Sequence, residues 1–287
     1  MRRATEERDV RPLRAGECRR VLASRGLAVV LAAALGVAGC KPPVRPTPPP
    51  VPTKVTPFSS GTPDGAYPGG WHTEGSAKFR KPSVYRMVDD GGVTVVEGTA
   101  DGSASGLVEF VDIDPHERPV LVWRWKITLP VAGADTPKRS GDDAPARVML
   151  SFAGDVQSLD FSDRLWFNQV KLISGISIPY ATLEYVWGAG APVGTVVTNS
   201  YTSRIRTLLV RNTPEPLNEW VTEARDVVED FRRAFGEEPG RITVVAVYTD
   251  GDATGARSQG YYGDLTFLTR AEAQARGAKP PAGSAKQ

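Results

Sequence analysis

Cysteine and histidine are scarce: the 287 residues hold two of each, Cys18, Cys40, His72 and His116. A Cys/His zinc cluster cannot be assembled from them, and a disulfide has one pairing open to it, Cys18 with Cys40. Neither charge sign dominates. Thirty-five Lys and Arg stand against 33 Asp and Glu, so no basic field exists to recruit nucleic acid, and no such partner is expected. Membrane-spanning runs are missing too: Leu27–Gly39 is thirteen residues, about 20 Å as a helix against a hydrocarbon core of about 30 Å. No Gly-rich phosphate loop follows a strand pattern and no Ser sits in a nucleophile elbow, which sets nucleotide and triad chemistry aside. Gly (29) and Pro (24) are abundant but follow no triplet repeat, so they belong to turns, linkers and tails.

The N-terminal part reads as an address. Residues 1–26 carry eight Arg, the apolar run follows, and Val37-Ala-Gly-Cys40 closes it. This order of basic, apolar and small-residue segments is that of an export signal, 1–39, and the last four residues have the pattern of a bacterial lipobox, with Cys40 as the lipidated first residue of the mature chain. The expected location is a bacterial membrane, the outer membrane facing the periplasm, because Lys41 is not the Asp that marks inner-membrane retention. The signal takes eight Arg and four acids with it, leaving 27 bases and 29 acids. Between Pro42 and Pro57 eight of sixteen residues are Pro, so residues 40–68 are expected to be a stiff polyproline tether. The C-terminal residues 271–287 read as a disordered tail, which leaves 69–270 as the folded domain.

Inside that domain the dominant period is two. Leu121, Trp123, Trp125 and Ile127 alternate with Val122, Arg124, Lys126 and Thr128, and Val148, Leu150 and Phe152 alternate with Arg147, Met149 and Ser151. Similar runs at 93–97, 107–113, 182–187, 205–211, 241–249 and 264–268 predict further strands. One stretch keeps a helical period: Ala224, Val227, Val228, Phe231, Ala234 and Phe235 share a face, Thr222 is placed to cap it and Gly236 to stop it. The fold class expected is mainly β, a jelly-roll-like antiparallel sandwich with one packed helix at about 222–235.

Several spaced motifs carry a resemblance. Leu121-Val-Trp-Arg-Trp-Lys-Ile127, Asp142-Asp143 with Arg147, Leu183-Glu-Tyr-Val-Trp187, Trp220 with Arg225-Asp-Val227 and Asp230, Phe235-Gly236, Thr249-Asp-Gly-Asp-Ala-Thr254 and Tyr262-Gly-Asp264 follow one another along residues 70–269. In that order they resemble the bacterial domain-of-unknown-function family 3047. The resemblance implies an extracytoplasmic β-rich domain with a looser likeness to jelly rolls that bind carbohydrate, and it brings no catalytic residues. The family's acidic run is closer to Asp-Thr-Asp-Asn-Thr; Gly251 and Ala253 stand at its variable positions here, which removes one possible oxygen ligand.

Two acidic points are candidates for chemistry. Asp250, Asp252 and Thr254 with Gly255 open like a calcium loop, but position 12 is Tyr261 where a bidentate Glu is needed, so a structural Ca²⁺ would call on Asp264; the plainer reading is a polar turn that bonds its own backbone. Asp142 and Asp143, with Glu184 or Asp250 as partner, offer a carboxylate pair for work on a glycosidic bond; in the plainer reading Asp143 caps the strand entry and pairs with Arg147 or Arg124. Trp123 and Trp125 share a face with Leu121 and Ile127 and belong to the core. Arg124, Lys126, Arg147 and Glu184 form one charged face if their strands are neighbours, and Trp187, Tyr261 and Tyr262, in or beside turns, are the better stacking rings. The reading that results is a membrane-tethered, non-catalytic lipoprotein that binds an envelope component, most plausibly polysaccharide. The alternatives are a carbohydrate-active hydrolase or lyase using Asp142 or Asp143, and an assembly lipoprotein with a protein partner.

Overall fold

A computed structural model describes residues 50–74, 80–174, 177–213 and 216–281. The expected signal peptide, Cys40 and the start of the expected tether lie outside the described residues, as do 282–287 of the expected tail. Two sheets pack face to face. Twelve strands are described: β1 (His72–Glu74), β2 (Val84–Asp89), β3 (Thr94–Asp101), β4 (Ala104–Ile113), β5 (Val120–Leu129), β6 (Ala146–Phe152), β7 (Ala181–Gly188), β8 (Val196–Thr198), β9 (Ile205–Asn212), β10 (Val221–Asp226), β11 (Ile242–Asp250) and β12 (Arg257–Leu268). Three α-helices join them: α1 (Phe161–Ser174), α2 (Val227–Phe235) and α3 (Arg270–Ala275).

The seven-stranded sheet runs β1-β4-β11-β6-β7-β9-β8 and the five-stranded sheet runs β10-β5-β12-β3-β2. Along β3 to β6, and again along β10 to β12, each strand lies in the opposite sheet from the one before. That alternation is the jelly-roll habit, and the strands inserted between its successive members, β11 between β4 and β6 and β5 between β10 and β12, pair antiparallel with both. By contrast, β7 and β9 are parallel.

The alternation of apolar residues becomes the core. Trp123 and Trp125 point from β5 to the interior, where Trp123 meets Tyr185 at 5.2 Å and Trp125 meets Trp187 at 5.7 Å between ring centroids. These contacts join the two sheets through large buried rings, as tilted and edge-on aromatic packing favours. α2 closes the far end of the interior: Phe231 lies 4.6 Å from Phe152 and 4.4 Å from Phe235.

Five expectations need correcting. The helix starts at Val227, because Val221–Asp226 pair with β5 as an edge strand and Asp226, not Thr222, caps α2 by accepting from Glu229 N at 3.1 Å. α1 is a second long helix, and α3 occupies the start of the expected tail, held by Thr269 and Glu272 in a reciprocal capping box. Residues 55–68, expected in the tether, are part of the fold: Val55 and Phe58 are buried, and Phe58 packs on Trp71 at 4.6 Å. Finally, β5 and β6 belong to different sheets, so Arg124 and Lys126 cannot share a face with Arg147 and Glu184.

Candidate functional site

The outer face of the seven-stranded sheet carries a buried cation. Arg147 points away from the core because its neighbours Val148 and Ala146 point in, and it stands opposite Tyr248 on β11 and Val186 on β7. Asp250 and Glu184 lie on the diagonals of that row, which is the reach of a long side chain. Arg147 Nε and Nη2 donate to Asp250 at 3.2 and 3.1 Å, a bidentate pair, while Nη1 donates to Glu184 at 3.3 Å. Nη2 also donates to the backbone carbonyl and to Oδ1 of Asp142, both at 2.9 Å. Three carboxylates thus share one guanidinium, Asp250 also accepting from Ala144 N at 2.8 Å and Glu184 from Thr207 Oγ1 at 2.8 Å.

Burial sets the protonation of this cluster. It pushes the Asp250 carboxyl up to about 7 against the pull of Arg147 and the Ala144 amide, and it raises Glu184 for the same reason. Burial opposes the charge on Arg147 as well, yet Asp250, Asp142 and Glu184 together hold its pKa above the ordinary arginine value. The cation is permanent, and the two most buried acids around it hold their protons more tightly than free carboxylates do.

Over this cluster opens a cleft of about 420 Å³, lined among others by Arg80, Arg139, Asn199, Ser200, Tyr201 and Tyr248. Tyr201, 49 % exposed, is held by the Arg139 guanidinium 4.4 Å from its ring centroid. The cleft therefore offers fixed donors and acceptors of both signs and one open aromatic ring.

The sequence-derived candidates divide between this cleft and other places. Asp142, Arg147, Glu184, Asp250 and Asp252 meet in it. Asp143 is fully buried and holds the 250–255 turn, accepting from Ala253 N at 3.1 Å, Thr254 N at 2.7 Å and Thr254 Oγ1 at 2.7 Å. Asp143, Asp250 and Asp252 each bring a carboxylate oxygen within 4.8 Å of the others, but Arg147 holds Asp250 and Arg80 holds Asp252 at 2.6 Å. Positive charge thus reaches this loop from arginine, and amide donors complete it. Asp264 is remote from the loop, accepting from Ser59 N at 2.9 Å and Ser59 Oγ at 2.6 Å.

Trp187 and Tyr262, expected as stacking rings, are core side chains; β7 runs through Trp187 to Gly188 and β12 starts well before Tyr261, so both are inward strand positions. Arg124, Lys126 and Tyr261 lie together on the other sheet. Lys126 sits 4.6 Å over the Tyr261 ring and pairs with Asp90, Arg124 lies 4.4 Å from the Trp220 ring, and Trp220 Nε1 donates to Asp90 at 3.0 Å. Tyr261 donates to Glu97 at 2.8 Å, and burial with that contact pushes its hydroxyl up to about 12. This is a face of cross-strand pairs that satisfy one another. Sequence reasoning missed Arg80, Arg139 and Tyr201; the run Asn199-Ser-Tyr-Thr-Ser203, a polar turn with an aromatic in it, was the available signal for the last.

The family described as "Protein of unknown function (DUF3047)" matches residues 69–266. The chain belongs to that family. The matched span covers the acidic pair, Arg147, Glu184 and the 250–255 turn, and every residue that lines the cleft lies within it. No curated protein matches the chain. Among solved structures, the carbohydrate recognition domain of Emp47p aligns at 10 % identity and TM-score 0.38, covering 76 % of this chain and 95 % of that one. The glycoside hydrolase domain of Endo-D from Streptococcus pneumoniae R6 aligns at 12 % identity and TM-score 0.30, covering 69 % of this chain but only 21 % of its own. Likenesses this remote carry no argument about ligand or activity.

Proposed function

We propose that the domain is a non-catalytic binder of an envelope polysaccharide, held to the periplasmic face of a bacterial membrane by lipid on Cys40, and that the cleft above Arg147 is its binding site. The observation that carries this reading is the open ring of Tyr201, stiffened by Arg139, beside hydrogen-bonding groups fixed on the sheet. A sugar polymer has apolar ring faces for the one and hydroxyls for the other, and a concave polar cleft of this size suits one or two sugar units better than an apolar ligand.

The acid/base alternative keeps one favourable feature, a carboxyl near 7 at Asp250. Both oxygens of that group are held by Arg147 and the Ala144 amide, and Asp143 is committed to the turn, so no pair of free carboxylates faces the cleft from these residues. The test is retention on isolated envelope polysaccharides. The wild-type chain is expected to be retained, and Tyr201→Ala to lose most of that retention with an unchanged melting temperature. No retention by the wild type, or equal retention by the variant, would overturn the assignment, and release of sugar fragments would move it to the hydrolase.

A further inference from the structure

We propose that α1 is a membrane-surface helix whose outward face beds into the headgroup region of a lipid bilayer and seats the domain on it. The helix is inverted relative to an ordinary surface helix. At 3.6 residues per turn Phe161, Leu165 and Leu172 fall in one narrow stripe with Asn168 at its edge, Ile173 lies about a quarter-turn round from it, and Asp163 and Phe167 take the opposite side. The stripe is the exposed side: Phe161 is 72 %, Leu165 45 %, Leu172 87 % and Ile173 69 % exposed.

This orientation is fixed by a polar clamp on the inner side. Asp163 accepts from Thr202 Oγ1 at 2.6 Å, Ser203 N at 3.0 Å and Ser203 Oγ at 2.5 Å, and Phe167 is buried beside it. The inward carboxylate leaves Arg164 and Lys171 as the charges on the helix flank. An exposed face bearing Phe, Leu and Ile with bases on its flank is the make-up of interfacial helices. Four large apolar side chains exposed on one helix of a folded domain mark a site of association.

The path of the chain names the occupant. Pro52, on the segment that leads back to Cys40, accepts from Asp112 N at 2.8 Å at the end of β4. Arg241 pairs with the same Asp112, and its carbonyl accepts from Ala153 N at 2.8 Å, on the segment that runs directly into α1. The N-terminal segment and the approach to α1 therefore meet at one end of the seven-stranded sheet. A lipid on Cys40 would draw that same end toward the bilayer, with no more than about 40 Å of extended chain between. The seating thus rests on the lipid-anchor part of the proposed function, but the affinity of α1 for lipid does not.

The experiment separates the two. The chain from residue 41 onward lacks the lipid and the apolar run yet keeps the compact unit Pro49–Gln287, and its fold is checked by circular dichroism. It is floated with vesicles of phosphatidylethanolamine and phosphatidylglycerol. The wild type is expected to co-float. Leu172→Glu with Ile173→Glu should lower the partition coefficient at least about tenfold, with unchanged melting and unchanged retention on polysaccharide. Phe161→Gln with Leu165→Gln serves as the second pair if the first misfolds, with the same loss expected. Tyr201→Ala should float like the wild type, so failure of the glycan reading leaves this one standing. No co-flotation by the wild type, equal flotation by the charged variant, or a wild-type dimer that the charged variant abolishes would each overturn it, the last by assigning the stripe to a second copy of the chain.

Discussion

Arg147 is the residue on which the cleft depends, because among the described residues it alone forms ion pairs with the three carboxylates that surround it. Replacing it with Met keeps the volume and strands Asp142, Glu184 and Asp250 with no cation, and a broken buried pair of this kind costs about 3–5 kcal/mol. Urea denaturation at neutral pH should show that loss, and the loss should shrink in acid as the stranded carboxyls protonate. The sign for the wild type follows from Asp250 itself. Its folded pKa of about 7 lies above the unfolded value of about 4, so the folded state holds the proton more tightly. The stability this contributes is full below about pH 4 and is lost as pH rises toward 7. Asp250→Asn lacks that titration, so its stability relative to wild type should rise between pH 4 and 7 and level off above. A flat difference across that window, measured by denaturation at fixed ionic strength, would show that the carboxyl ionises at its ordinary pH. At this scale the sequence was half legible. The ion pair with Arg147 that the plain reading gives to Asp143 is made by its neighbour Asp142, while Asp143 turns to the amides of the 250–255 turn. Glu184 and Asp250 reach Arg147 only through strand registers set by two different partners, which no spacing in the sequence reveals.

Among the elements, the strands were easiest to read and the helices least. Period-two runs such as Leu121–Ile127 have one face in the core and one in water, so the pattern survives folding unchanged. β10 was read as helix because Ala224, Val227 and Val228 fit a helical period, yet the open edge of β5 offers its backbone a complete ladder up to Asp226. There the switch is made by a single carboxylate. Asp226→Ala removes the acceptor for Glu229 N and should lower stability by about 1 kcal/mol, seen as a shift in denaturation midpoint, with little added by the loss of the exposed Arg270 partner. Gly236 ends the same helix at φ 75°, a left-handed turn that glycine adopts without strain. α1 escaped notice for a physical reason: its apolar residues point both inward and outward, so no single stripe stands out in the sequence.

The molecule as a whole is closed by a segment that composition had assigned to the tether. Proline content reads residues 50–68 as linker, but Val55 and Phe58 are apolar punctuation within it, and together with Trp71 they complete one edge of the core. Phe58→Ala should therefore behave as a core truncation, losing about 3–5 kcal/mol in chemical denaturation, where a true tether would show no change. The same segment bonds to both layers. Thr56 donates to Glu109 on β4 through N at 2.8 Å and Oγ1 at 2.6 Å, and Ser59 donates to Asp264 on β12. Those bonds lie on opposite sheets, so any pull on the N-terminal side of the chain is received first by this clasp and divided between two layers. Under load the clasp acts as a mechanical fuse: peeling residues 52–59 would release slack while leaving every strand of the two sheets paired, and the cleft above Arg147 would keep its shape until the fuse had gone.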